Sequence, residues 1–143
     1  MTTQTAEIAV QKIETAIPDA DVRVCRRIEP GQVLHQGDVY LARVADGWPR
    51  GERLGTQQVA VGSTVGARHV AEGEAVEVYA GVKLPKALVC AEDVPEEAYL
   101  GPVVVAPEGF TLTHPEHADH VCPAGVYQVT YQVDPVAQRR VQD

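Results

Sequence analysis

Three of the five histidines in this 143-residue chain fall within one eight-residue segment, THPEHADH at positions 113–120. The same segment holds two carboxylates, Glu116 and Asp119. Imidazole is the commonest protein ligand for metals and the only side chain whose ordinary pKa lies near neutrality. Such a cluster could hold a divalent metal or transfer protons, so this segment is the first place to look for chemistry.

The backbone around Pro115 decides which of these histidines can act together. Proline restricts the residue before it to extended backbone and suits the first position of a helix, so we predict one helical turn over 115–119 with His114 as its N-cap. That turn places His114 and His117 on one face. It leaves His120 about 240° further round, turned toward the following strand, and a regular strand would also separate residues three apart.

Further ligands must come from elsewhere in the chain, and His69 is the first candidate. The metal site that we predict consists of His69, His114 and His117. Neutral imidazoles with a carboxylate suit zinc, iron(II), manganese or nickel. Additional candidate ligands are His35, Glu116 and His120.

The alternative interpretation of the segment is a solvated turn whose imidazoles bond to the local backbone and carboxylates. It is favoured because the sequence lacks the paired Cys or His spacings typical of structural zinc sites. The sequence also contains no nucleotide-binding loop and no nucleophile motif. We therefore assign no catalytic residue, and the pattern requires no cofactor.

The elements that must position these residues are predominantly strands. Beyond Pro18, valine outnumbers leucine, isoleucine and phenylalanine combined, a composition typical of β-proteins. Many short apolar runs separated by turn residues predict an all-β fold, a small sandwich or barrel of mostly antiparallel strands. The clearest strand is 126–133, whose alternation predicts a half-buried strand with four side chains facing the core: Tyr127, Val129, Tyr131 and Val133.

The chain length corresponds to about one domain, with an arm at each end. Within residues 1–17, apolar residues at helical spacing over 4–17 favour an N-terminal helix. A strand through Ile8 and Val10 is the competing interpretation. We assign residues 18–134 to the β-domain and residues 135–143 to a polar C-terminal tail.

Charge and hydropathy exclude some partners. The net charge is −8 and the basic residues are scattered, which argues against nucleic acid because phosphate binding needs clustered Lys and Arg. No apolar run approaches the roughly 18 residues of a membrane span, and the N-terminus lacks a signal-peptide pattern. Three cysteines without a Cys-x-x-Cys pair suit a reducing compartment. We therefore expect a cytoplasmic protein without a membrane partner.

Two segments resemble the metal-binding motifs of the cupin superfamily. Residues 101–114 carry Gly-x5-Pro-x-Gly-x4-His, which is similar to the second cupin motif, and residues 62–72 carry Gly-x6-His-x2-Glu, which is similar to part of the first. In residues 62–72, alanine and arginine precede the histidine where a cupin has His-x-His. In residues 101–114, the histidine arrives two residues later than in the cupin motif. The resemblance implies a metal-dependent enzyme or a metal-binding sensor that uses His69, His114 and His117, with Glu116 as base or ligand.

A second resemblance concerns short, uncharacterised bacterial and phage-associated β-rich proteins. The sequences LTHPEH at 112–117 and CPAGVYQV at 122–129 are similar to the C-terminal half of that group. The segments 37–40 and 66–70 fit the same pattern. This resemblance implies one compact β-domain and no particular substrate.

Two functional hypotheses follow. The first is a non-enzymatic interaction or self-assembly module, whose edge strands pair with other copies or with a protein partner. The second is the cupin-like metal enzyme or sensor. We favour the first, because the second requires His69 to meet His114 and His117 with imidazole nitrogens within roughly 3 to 4 Å of one another around a shared metal.

Overall fold

The computed structural model describes residues 22–61, 68–85, 99–134 and 139–140. This part of the chain is all-β, without a helix. Its strands, in chain order, are β1 (Val22–Val24), β2 (Val33–Gln36), β3 (Val39–Val44), β4 (Arg50–Leu54), β5 (Gln58–Val61), β6 (Arg68–Glu72), β7 (Glu77–Gly81), β8 (Leu100–Ala106), β9 (Phe110–His114), β10 (His117–Cys122), β11 (Gly125–Tyr131), β12 (Val133–Asp134) and β13 (Arg139–Arg140).

The strands form two mostly antiparallel sheets that pack as a sandwich. Sheet A has the order β1-β10-β9-β6-β5, and sheet B has the order β2-β3-β11-β8-β7-β4. Strand β1 joins the edge of sheet A in parallel with β10, while β12 and β13 pair with each other. The predicted all-β fold is confirmed, and of the two architectures expected the sandwich fits, since the described strands do not close into a barrel.

The core lies between the two sheets and is built mainly from β-branched and small side chains. Alternate residues of each strand point to one face, so one apolar set from each sheet meets in the middle. The ring of Phe110 stands edge-on to that of Tyr127, with 5.2 Å between centroids, and the Tyr127 hydroxyl donates to the carbonyl of Pro123. Other core residues from both sheets are Val39, Leu41, Ala71, Val104, Leu112 and Val129.

Strand β11 is buried on both faces, which differs from the half-buried strand expected. Tyr127 and Val129 lie in the core as predicted, and Tyr131 packs against it. A loop carrying Trp48 covers the other face of sheet B, where the indole Nε1 donates to Gln128 Oε1 at 2.9 Å. The intervening residues of the strand are therefore buried as well: Val126, Gln128 and Thr130.

Several predictions fall wholly or partly outside the described residues. The choice between helix and strand over residues 4–17 is one, and the direction of the Val133 side chain is another. Of the C-terminal tail, Arg139–Arg140 forms a short strand that pairs with Val133–Asp134. Across the described ranges no helix combines the length and apolarity needed to span a membrane.

Candidate functional site

The histidine segment forms a β-hairpin, so the predicted helical turn is wrong. Strand β9 ends at His114, β10 begins at His117, and the two residues are directly paired across the turn. Proline followed by a polar residue suits the centre of a tight turn, and sheet pairing on both sides overrides the local helical preference. His114 still caps the turn, because its Nδ1 accepts a hydrogen bond from the Glu116 backbone N–H at 3.0 Å.

A β-bulge in β10 brings His117 and His120 to the same side. His117 pairs with His114 and His120 pairs with Leu112, so three steps along β10 correspond to two along β9. The extra residue shifts the alternation of side chains by one position, and both imidazoles line one cleft. The expectation that His120 turns away from His117 is therefore wrong.

The three histidines predicted to form a site lie together in the structure. The ring centroid of His114 is 4.3 Å from that of His69 and 4.5 Å from that of His117. The rings of His69 and His117 are 6.0 Å apart, so the three centroids form a triangle. His69 and His114 are buried, whereas His117 is only partly buried and lines the cleft. We call this set the histidine stack. Its His117 end borders the cleft, and its His69 end is fully buried between the sheets.

The stack does not have the ligand arrangement expected of a metal centre. Among the described residues, no group of three or more His, Cys, Asp or Glu side chains could hold a metal ion as placed. His114 also accepts a hydrogen bond through Nδ1, so its neutral ring carries the proton on Nε2 and has no lone pair there. Metal binding at His69, His114 and His117 stays a prediction that elemental analysis can test.

His69 contacts two polar side chains that reach across from the β2–β3 hairpin of sheet B. Its Nδ1 lies 2.8 Å from Gln36 Oε1, and its Nε2 lies 3.3 Å from Asp38 Oδ1. All three side chains are 2% exposed or less. Gln36 Nε2 donates to the carbonyls of Leu112 and Ala118, at 3.0 and 2.8 Å. This side chain therefore ties sheet B to both strands of the β9–β10 hairpin.

The hydrogen bonds of Gln36 determine where the His69 ring carries a proton. Carbonyl oxygens only accept, so the amide nitrogen must face them and the amide oxygen must accept from His69 Nδ1. With its proton on Nδ1, a neutral ring would turn a lone pair on Nε2 toward the carboxylate of Asp38. A hydrogen bond between Nε2 and Asp38 Oδ1 therefore requires one further proton, either on the carboxyl group or on Nε2.

The other end of the stack opens into a cleft of about 440 Å³. We call it the histidine cleft; it lies where β1 and β10 of sheet A face edge strand β2 of sheet B. No carboxylate is among the described side chains that line it. Its polar lining comes from Arg23, His35, Gln36, His117 and His120, and its apolar lining includes Val24 and Leu34.

The electrostatics of the cleft are dominated by burial and positive charge. Burial, followed by the nearby Arg23, His35 and His117, lowers the pKa of His120 from 6.5 to about 4. Burial also raises the pKa of the Cys25 thiol, which keeps this cleft residue protonated and unreactive at neutral pH. At pH 7 the cleft therefore has a fixed cation in Arg23 and a neutral imidazole in His120.

Of the remaining sequence candidates, His35 belongs to the cleft and Glu116 does not. His35 lines the cleft on β2, its ring edge-on to Tyr40 at 6.2 Å. The Glu116 side chain is exposed at the tip of the hairpin. Sequence reasoning missed Gln36 and Asp38, because polar residues around a glycine turn predict a solvated loop. The only available signal was their position between a histidine and a clear strand.

Comparison with known proteins places the chain in one family. Residues 35–132 match the family model described as "Domain of unknown function (DUF8820)". The chain belongs to the DUF8820 family. The DUF8820 match includes all five histidines and the Gln36–Asp38 turn, but not β1 with Arg23. No curated protein and no solved structure matches the chain.

Proposed function

We propose that this protein is a non-enzymatic binding module that holds a small molecule in the histidine cleft. The observation that carries the proposal is the cleft itself, a concave space of about 440 Å³ onto which an arginine and three imidazoles converge. Small-molecule sites typically occupy about 300 to 1,000 Å³ and combine apolar walls with a few polar groups. Most of these side chains stand on strands, which hold them more rigidly than loops do.

The chemistry of the described lining favours binding over catalysis. A nucleophilic mechanism needs an activated nucleophile beside a base, whereas the Cys25 thiol has a raised pKa. The Asp38–His69 pair is fully buried and does not line the cleft. It supports the wall through the histidine stack rather than meeting a ligand.

The test is a titration of ¹⁵N-labelled protein with four ring compounds of similar size, namely benzyl alcohol, benzamide, benzylamine and benzoate, at up to about 10 mM. We expect at least one compound to shift the amide resonances of Val24, His35 and His117. Val24→Trp should fill the cleft and abolish binding, whereas Val82→Trp should not, since Val82 is an equally exposed valine outside the cleft. Absence of binding by all four compounds, or binding that survives Val24→Trp, rejects the proposal.

A second candidate function, self-association, is favoured by the distribution of exposed valines. Val22 and Val24 on β1 and Val33 on β2 are 53%, 50% and 37% exposed, and only Val82 at 55% joins them among the described large apolar residues. Both β1 and β2 are edge strands. Edge strands offer backbone N–H and C=O groups for pairing with another strand. A second copy of this chain would cover both the valines and the strand edges.

Light scattering on protein eluting from a sizing column tests this second candidate. We expect a dimer for the wild type and for the control Val82→Lys, and a monomer for Val22→Lys. A wild-type protein that stays monomeric at about 100 μM, a concentration at which weak dimers form, rejects self-association. Binding of the ring compounds by a monomer would leave the cleft proposal intact.

A further inference from the structure

We infer that the ligand of the histidine cleft is a small monocarboxylate with a compact apolar body. This inference rests on the proposed function and narrows it to one chemical class. It follows from the charge of the cleft, from the pairing of Arg23 with His120, and from the apolar side chains on β2.

The charge of the cleft is opposite to that of the protein as a whole. The chain has 20 acidic and 12 basic residues, yet the described lining contains Arg23, three histidines and no carboxylate. Asp119, next to His120 in the chain, does not line the cleft, and its pKa is raised by burial and then by repulsion from the Glu72 carboxylate. A concave site lined by one sign of charge concentrates ligands of the other sign.

Arg23 is positioned to receive an anion. It stands directly opposite His120 in the β1–β10 pair, so guanidinium and imidazole donors come from neighbouring strands at one level of the cleft. Arg27, Arg43 and Arg53 each form an ion pair, whereas Arg23 forms none with the residues that the structure describes.

The ligand is better matched by one carboxylate than by a phosphate. A guanidinium presents parallel donors that fit the oxygens of a carboxylate or of a phosphate, so the charge of the ligand decides between the two. Among the described residues that line the cleft, Arg23 is the only lysine or arginine, so they supply one permanent positive charge. One permanent cation balances a monoanion and leaves a phosphate dianion partly uncompensated. Val33 and Leu34 on β2 provide the apolar surface for the rest of the ligand.

The test compares benzoate with benzamide, which has the same shape and no charge. We expect benzoate to bind about tenfold more tightly, as an added charge-assisted contact allows. Arg23→Gln should weaken benzoate about tenfold and leave benzamide unchanged. Arg26→Gln is the matched control, since Arg26 is exposed and lies outside the cleft. Arg23→Lys should bind benzoate more tightly than Arg23→Gln and less tightly than the wild type, because lysine keeps the positive charge but lacks the paired donors of the guanidinium.

The outcomes separate this inference from the function on which it rests. If benzamide binds as tightly as benzoate, or if Arg23→Gln has no effect on benzoate, the carboxylate inference is overturned and the binding cleft stands. If inorganic phosphate displaces benzoate at equal or lower concentration, the ligand class is phosphate and the inference fails. If none of the four ring compounds binds, both the carboxylate inference and the proposed function are rejected.

Discussion

Replacing Gln36 with leucine would show how strongly the buried polar network holds the two sheets together. The substitution keeps the volume of the side chain and removes three hydrogen bonds, to Leu112, Ala118 and His69. At about 1 kcal/mol each these account for about 3 kcal/mol. The buried Nδ1–H of His69 also loses its acceptor, which adds about 1 kcal/mol. We expect a total loss of about 4 kcal/mol.

A loss of this size is a large part of the roughly 5 to 15 kcal/mol that stabilises a typical domain. For a chain of this length it corresponds to a fall in Tm of about 15 °C. Urea unfolding gives the free energy directly, and the fluorescence of Trp48 reports it, since Trp48 is the one tryptophan in the sequence. Gln132→Leu makes the same chemical change at an exposed position and should alter stability by less than about 0.5 kcal/mol.

Gln36→Glu tests the orientation of the amide. Ionised glutamate can still accept from His69 but turns a carboxylate oxygen toward the carbonyls of Leu112 and Ala118, where the amide donated. Protonated glutamate can donate one of these bonds again, so we expect the variant to regain part of its stability as the pH falls. A loss under about 1 kcal/mol in Gln36→Leu would refute the role of the network. A Gln36→Glu variant as stable as wild type at pH 7 would refute the proton assignment of His69.

Three further predictions concern pH, packing and metal content. The pKa of His120 is about 4 in the folded protein and 6.5 when unfolded. As the pH falls from 6.5 toward 4, the unfolded chain therefore binds a proton that the folded protein does not, and the free energy of unfolding decreases; above pH 6.5 this contribution is constant. The full shift corresponds to roughly 3 kcal/mol, and partial solvent contact reduces our expectation to about 2 kcal/mol. Urea unfolding of His120→Asn should lack this part of the pH dependence, and an unchanged slope would count against it. Gly81→Ala should cost more than about 3 kcal/mol, because its Cβ would collide with the carbonyl oxygen of Gly101. Gly55→Ala meets no atom within 4 Å and should be neutral in the same thermal scan. Elemental analysis of untagged protein should find well under one metal ion per chain, and a stoichiometric metal lost on mutating the histidine stack would instead favour the metal enzyme.

The amino-acid sequence was sufficient for the fold class and for part of the site. Its valine content and regular turn residues predicted an all-β domain, because β-branched side chains suit a pleated sheet whatever their partners. The alternation from Tyr127 to Val133 placed Tyr127 and Val129 in the core correctly. Residue type together with the turn predicted at Pro115 singled out His69, His114 and His117, which the fold brings together although that turn is a hairpin and not helical.

Tertiary structure decided how these residues are arranged. The 114–117 segment forms a hairpin because pairing with neighbouring strands overrides the local preference for a helical turn, and this pairing cannot be inferred from the segment alone. The bulge in β10 turns His117 and His120 to the same side, and nothing in the local sequence predicts which strand of a pair takes an extra residue. Gln36 and Asp38 resemble solvated turn residues until the opposite sheet covers them. Sequence pattern sets which side chains favour burial, whereas pairing between residues distant in the chain sets which of them meet.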